Sequence, residues 1–191
     1  MKQLIMLLGL FFCYIGSTIA QITIHGVTLP EKLGREDKVC ILNGAGVKKH
    51  YFMSIYVAGL YLKNKNTDPH AIIYDDQAIV VRMQIISSLV TKERMCESVR
   101  EGFNKSTGGN TAPIQKEIDM IVKIFQSEEI KVGDVFDIWY IPGKGVMASK
   151  NSEKLDLLIP GLYFKKSLFD IWLGDNSADI ELKESMLGFC Q

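Results

Sequence analysis

Metal ligands at coordinating spacing are absent from this chain. Its three histidines, His25, His50 and His70, are dispersed, and no cysteine pair has Cys-x-x-Cys spacing, so the spacing makes no case for a metal or redox centre. Also missing are a nucleophile elbow, a Walker-type phosphate loop and a dinucleotide fingerprint. Gly44-Ala45-Gly46 comes nearest to the last, yet it leads into a strand pattern where phosphate binding wants a helix N-terminus. Charge of one sign is lacking too. The 22 basic residues balance 22 acidic ones, which leaves no electrostatic footprint for nucleic acid and no polybasic membrane patch. The residues therefore assign no catalytic group, no metal and no cofactor.

Long apolar runs are confined to the start. After Lys2 the chain is apolar from Leu4 to Ile15 and then small, Gly16-Ser17-Thr18-Ile19-Ala20. That run is short for a membrane span and has no basic stop-transfer flank, so it reads as a secretory leader. Thr18 and Ala20 approximate a small-x-small site, which sets the expected cut before Gln21. We read 1–20 as a signal peptide and 21–191 as one domain, periplasmic or secreted, with no transmembrane span after cleavage. An uncleaved N-terminal anchor is the alternative. Cleavage removes Cys13 and leaves Cys40, Cys96 and Cys190. An odd number gives no complete disulfide framework, though one bridge and a free thiol remain open. Cys40 in a strand pattern and Cys96 in a helix pattern read as small buried hydrophobes.

What is present is an orderly run of elements. Gln21 to Leu29 alternates and reads as a strand pair or a kinked strand around Gly26. Asp37 to Leu42 is a short strand, Asn43-Gly44-Ala45-Gly46 a glycine-hinged turn, and Val47 to Leu62 one long strand bent at Gly59. Ala71 to Tyr74 fits a strand or a helical turn. In Gln77 to Ser87, Ile79, Val81, Met83 and Ile85 share one face, with Arg82 on the other. Thr91 opens a helix through about Phe103, and Thr111 caps a second with Pro113 in its first turn. A hairpin follows, Asp134 to Ile141 and Val146 to Ser149 around Pro142-Gly143-Lys144-Gly145, then a short strand from Leu155 to Ile159. Two helices close the chain, Leu162 to Leu173 with Gly174 at its C-cap and Ala178 to Leu187. The order predicts an α+β fold: a large antiparallel sheet covered by helices on one side.

The segment Leu42 to Leu62 concentrates the chemistry. Lys48 and Lys49 stand at the mouth of the long strand, with Tyr56 and Tyr61 along it. Cations at one end and apolar or aromatic residues along the length suit an amphiphile with an acidic head. In that reading Lys48 meets a carboxylate or phenolate and Tyr56 donates a hydrogen bond. The plainer reading is a packed core strand with solvated lysines. Arg82, charged in the middle of a buried strand, needs either an internal carboxylate or a bound anion.

Several blocks resemble bacterial chalcone isomerase-like proteins. They are Asn43-Gly44-Ala45-Gly46-Val47-Lys48, Tyr56-Val57-Ala58-Gly59-Leu60-Tyr61-Leu62, Gly133-Asp134-Val135-Phe136, Ile141-Pro142-Gly143-Lys144-Gly145, and Lys165-Lys166-Ser167-Leu168-Phe169-Asp170-Ile171-Trp172-Leu173-Gly174. Leu182 to Gly188 fits as well. The resemblance implies an open-faced β-sandwich with a ligand cleft between sheet and helices. It does not carry the isomerase chemistry across. The plant enzymes place an arginine where this chain has Lys48, a threonine at the place of Tyr56, a tyrosine in the helical region where none lies between Tyr74 and Tyr140, and a second threonine at Ile171. Ring closure depends on a preorganised donor set, and Lys is no substitute for the two-pronged guanidinium. The non-catalytic branch resembles fatty-acid-binding proteins, in which a basic residue and a tyrosine grip the carboxylate.

The resulting expectation is an exported, non-catalytic binder of a small apolar acid such as a fatty acid, with Lys48, Tyr56 and Arg82 as ligand-binding candidates. An isomerase or intramolecular lyase on another substrate is one alternative. A haem-binding or structural envelope protein, with His50 as the haem candidate, is the other.

Overall fold

A computed structural model describes residues 21–126, 129–154, 157–177 and 179–189. The expected leader, 1–20, and Cys190 lie outside the described residues.

Among the described residues, seven strands run in strict chain order in one antiparallel sheet: β3 (Lys32–Arg35), β4 (Lys38–His50), β5 (Met53–Leu62), β6 (Ile79–Ile85), β7 (Val135–Ile141), β8 (Gly145–Lys150) and β9 (Glu153–Lys154). β1 (Ile22–Ile24) and β2 (Val27–Leu29) form a separate hairpin around His25-Gly26. The helices are α1 (Pro69–Tyr74), α2 (Lys92–Ser106), α3 (Gln115–Gln126), α4 (Leu162–Leu173) and α5 (Ile180–Leu187).

The period-two pattern sorts the strands' side chains between two cores. Ala58, Leu60 and Leu62 of β5 join Ile79, Val81 and Met83 of β6 in the larger core under the helices. Val57, Tyr61, Val80 and Trp139 face the other way and pack with Val27 and Leu29 of the hairpin. Tyr61 donates from its hydroxyl to Pro30 O at 3.0 Å, which fastens the chain leading from that hairpin to the sheet's rear. The architecture is the α+β open-faced sandwich expected from the sequence.

The glycine-rich segment departs from expectation. Asn43 to Gly46 is not a turn but the middle of β4, and the chain reverses later, at Tyr51-Phe52. The expected single strand from Val47 to Leu62 is thus the end of β4 plus all of β5. The glycines serve helix packing. A Cβ on Gly44 would lie 2.3 Å from Ser185 O, and one on Gly46 would lie 2.7 Å from Ser185 Cβ. α5 therefore rests directly on bare β4 backbone. A register shift between Leu42 and Gly44 leaves Asn43 as the extra residue of a bulge. Its buried side chain donates to Asn66 O and Met186 O and accepts from Asn66 N at 2.8 Å, clamping loop and helix to the strand.

Smaller differences have local causes. Ala71 to Tyr74 resolves as helix because Asp68 caps it, accepting from His70 N and Ala71 N, with Pro69 in its first turn. Thr111 makes no cap bond to backbone; a 3₁₀ turn at Ala112–Ile114 leads into α3 instead. Of the strand expected over Leu155 to Ile159, 155–156 lie outside the described residues and Ile159 forms a lone bridge with Val146. Asp179 is the N-cap of α5, which starts at Ile180; Ala178 lies outside the described residues. Cys40 and Cys96 are free and buried.

Candidate functional site

Lys48 and Tyr56 are cross-strand neighbours in the β4–β5 register, so both side chains leave the sheet on its helical face. Just beyond them a second bulge makes Ile55 the extra residue, between the Lys48–Tyr56 and Lys49–Ser54 pairs. A bulge re-aims side chains, and Ile55 and Tyr56 both line one cavity of about 890 Å³. Met83 and Ile138 complete its floor from the sheet. Met95 and Val99 of α2, Phe125 of α3, and Leu168, Ile171 and Trp172 of α4 build its walls. α2 and α4 approach closely because residue 102 is glycine; a Cβ there would lie 2.9 Å from Ile171 Cγ2.

The inner surface is apolar and its few polar groups are specific. Trp172, a donor only, gives its Nε1–H to the Tyr56 hydroxyl at 3.2 Å. That bond occupies an acceptor position on the phenol oxygen and leaves the phenol's own proton to be donated to a guest. Burial pushes the Tyr56 phenol up to about 12, against the pull of the Trp172 donor. The group is therefore a neutral donor at ordinary pH, not a phenolate. Ser177 adds a hydroxyl to the lining, and its oxygen is buried without a partner among the described residues. Asp170 also reaches the lining, its carboxyl pushed above the usual range by burial and then by Asp175.

Cations gather at the mouth. Lys48, Lys49, His50, Arg94 and Lys105 all border the cavity. Lys48 Nζ lies 3.5 Å from Asp179 Oδ2, both mostly buried. Asp179 is heavily committed: it accepts from Leu182 N at 2.9 Å as the cap of α5 and from Lys49 N at 3.2 Å. Across the mouth, Glu101 of α2 has its carboxyl held below the usual range by Lys105 first and, more weakly, by Lys48 and His50. The cations at the β4 end thus act on the α2 carboxylate that faces them.

The structure brings Lys48 and Tyr56 together and sends Arg82 elsewhere. Arg82 points to the hairpin side and forks onto its cross-strand neighbour Asp137, Nε to Oδ1 at 2.6 Å and Nη2 to Oδ2 at 2.7 Å. It does not line the cavity. The partner that a mid-strand charge requires is this carboxylate. Trp172, Ser177 and Asp179 were not foreseen. For Trp172 a signal existed, since Leu168, Ile171 and Trp172 have the i, i+3, i+4 spacing of one helix face. For the other two, nothing local marks a tertiary contact to β4 or the cavity.

A meandering antiparallel sheet that encloses an apolar chamber under a single helical layer defines an α+β fold with an internal ligand-sized space. The chain belongs to the chalcone isomerase-like family, whose pattern it matches over residues 20–188. Among solved structures it is similar to a fatty-acid binding protein of Arabidopsis thaliana. The TM-score is 0.70 at 16% identity, over 88% of this chain and 96% of that one. At that identity the likeness speaks for the fold. No curated protein matches the sequence.

Proposed function

We propose that this protein is a non-catalytic carrier of a small apolar acid, such as a fatty acid, acting outside the cytoplasm. The observation that carries this reading is the apolar cavity of about 890 Å³ whose lining includes a protonated Tyr56 hydroxyl, already fixed by Trp172, and its cross-strand neighbour Lys48. A carboxylate at the Tyr56 hydroxyl would accept its proton and share Lys48 with Asp179, while the tail fills the space among Met95, Phe125 and Leu168. The fatty-acid binding named for the structural neighbour supports the same cargo class. The leader-like composition of residues 1–20 supports export.

Native mass spectrometry of protein purified from its own compartment tests the cargo, together with displacement of a fluorescent fatty acid. The expected result is a bound acid and saturable displacement, weakened about tenfold in Tyr56→Phe, in line with loss of one hydrogen bond to a charged group. An empty cavity and no displacement overturn the reading. The start of the natural protein tests the address: export predicts Gln21 as its first residue. The lyase alternative is weaker because Ile171, at the place of the second threonine, presents only hydrocarbon to the cavity. Chalcone turnover, followed by absorbance and compared with Lys48→Ala, decides against the carrier reading if it is found.

A further inference from the structure

The reversal between β4 and β5 breaks two local rules at once. Tyr51 has a φ of 53°, at the first position of a two-residue turn where glycine is the usual residue. Tyr51 and Phe52 are also 82% and 102% exposed, and Met53 beside them is exposed as well. A turn selected for stability alone would carry glycine, asparagine or serine here. This one accepts left-handed backbone on a bulky residue and displays two aromatic rings to solvent. Conflicts of this kind gather at functional positions.

The location gives the displayed rings a meaning. Tyr51 and Met53 line the mouth of the cavity, and Leu89, an exposed residue of the β6–α2 connection, lines it too. Ile180, exposed at the start of α5, stands between Asp179 and Glu181, which bind the Lys49 backbone and side chain respectively. Exposed apolar side chains therefore stand among the charged groups at the opening. The segment from Lys48 to Met53 contains Lys48, Lys49 and His50 and no acid. Its counter-charges are Asp179 and Glu181 at the start of α5 and Glu101 of α2. Glu181, the partner of Lys49 at 2.9 Å, is itself well exposed, so an incoming phosphate can take its place.

We propose that the β4–β5 tip, with Tyr51, Phe52 and Met53, is a membrane-docking wedge that sets the cavity mouth against a lipid bilayer surface. The occupant follows from chemistry on both sides of the opening. Aromatic rings over a short cationic base match the interfacial region of a bilayer, with the rings at the acyl boundary and the cations at the phosphates. An amphiphile held inside the cavity also has its reservoir in the same bilayer; in this respect the inference rests on the carrier reading. Glu97, Glu101 and Glu181 stand near the same edge and offset the cations. Ring insertion therefore dominates over charge, and salt has little effect on binding.

Flotation of the purified full chain with phosphatidylcholine vesicles, with and without phosphatidylglycerol, tests the wedge. Phe52 does not line the cavity, so Phe52→Ser leaves cargo binding in solution intact, and serine suits the turn. The expected result is flotation of the wild type, weakened about tenfold or more in Phe52→Ser by loss of one buried ring. Phe52→Trp retains binding, and its fluorescence shifts to the blue on vesicles. No flotation, equal flotation of Phe52→Ser, or unshifted Trp emission overturns the proposal. So does a wild-type dimer that Phe52→Ser dissolves while vesicles bind neither form, since the rings would then face a second copy. Fatty-acid displacement without vesicles separates the two readings. Vesicle binding without displacement supports the wedge and sinks the cargo, and displacement without vesicle binding does the reverse.

Discussion

Asp179 illustrates how much one side chain decides here. It caps α5, holds the Lys49 backbone and pairs with Lys48 at the cavity rim. A cargo carboxylate at Tyr56 meets its negative charge at close range. Asp179→Asn keeps a good N-cap and removes that charge, so the expected outcome is several-fold tighter fatty-acid binding with little change in stability, read by fluorescence displacement and urea melts. Lys48→Ala leaves Asp179 facing the cargo alone and should weaken binding by more than the loss of one surface charge. Arg82 gives the contrasting case. Arg82→Ala strands Asp137 in the sheet, and breaking such a pair costs about 3–5 kcal/mol; denaturation should show that loss while cargo affinity of the folded protein stays unchanged. The pattern of β6 announced that Arg82 needed a counter-charge. The identity of that charge was hidden because β7 lies 55 residues away.

Among the elements, the alternation and caps of β6, α2, α4 and the β7–β8 hairpin were legible in order and in face. The centre of β4 was not. Asn-Gly-Ala-Gly has turn composition, and only the approach of a helix from the far end of the chain explains glycine in extended backbone. Gly44→Ala should therefore act through α5. With a Cβ 2.3 Å from Ser185 O, the helix must lift from the strand. Faster amide exchange over residues 180–187, together with a broad loss of stability, is the expected result; unchanged exchange would contradict the packing account. The reversal at Tyr51-Phe52 escaped notice for the opposite reason, because it carries none of the residues that mark a turn.

For the molecule as a whole, buried titrating groups shape stability above neutrality. Lys165 is 0% exposed, and it donates to the carbonyls of Ile72, Ile73 and Asp75 at the end of α1. Burial draws its amine down from 10.5 to about 8. A lowered pKa means that the unfolded chain binds more protons between those values, so this group's contribution grows as pH rises from 8 to 10.5 and is lost on the way down. Burial pushes the phenols of Tyr56, Tyr61 and Tyr140 upward, Tyr56 to about 12. Their contribution is whole below 10 and lost above it. Burial raises the thiols of Cys40 and Cys96 as well, and their contribution is lost above 9. In urea melts these losses are common to the wild type and Lys165→Met, so the wild type should gain roughly 2 kcal/mol relative to that variant between pH 8 and pH 10. The sheet-and-helix class could be read from patterning; the pairing of Lys48 with Tyr56 could not, because it rests on the reversal at Tyr51-Phe52 inside a run read as one strand. The enclosed space could not, because helices from three distant segments build it.

The seating of α5 on bare β4 backbone also sets a timetable. Gly44 and Gly46 are made well over a hundred residues before the α5 residues that cover them. Until they arrive the chamber lacks a wall and its rim lacks Asp179. A nascent chain that has not yet reached α5 therefore has no closed chamber, and any guest must wait for that helix to seat.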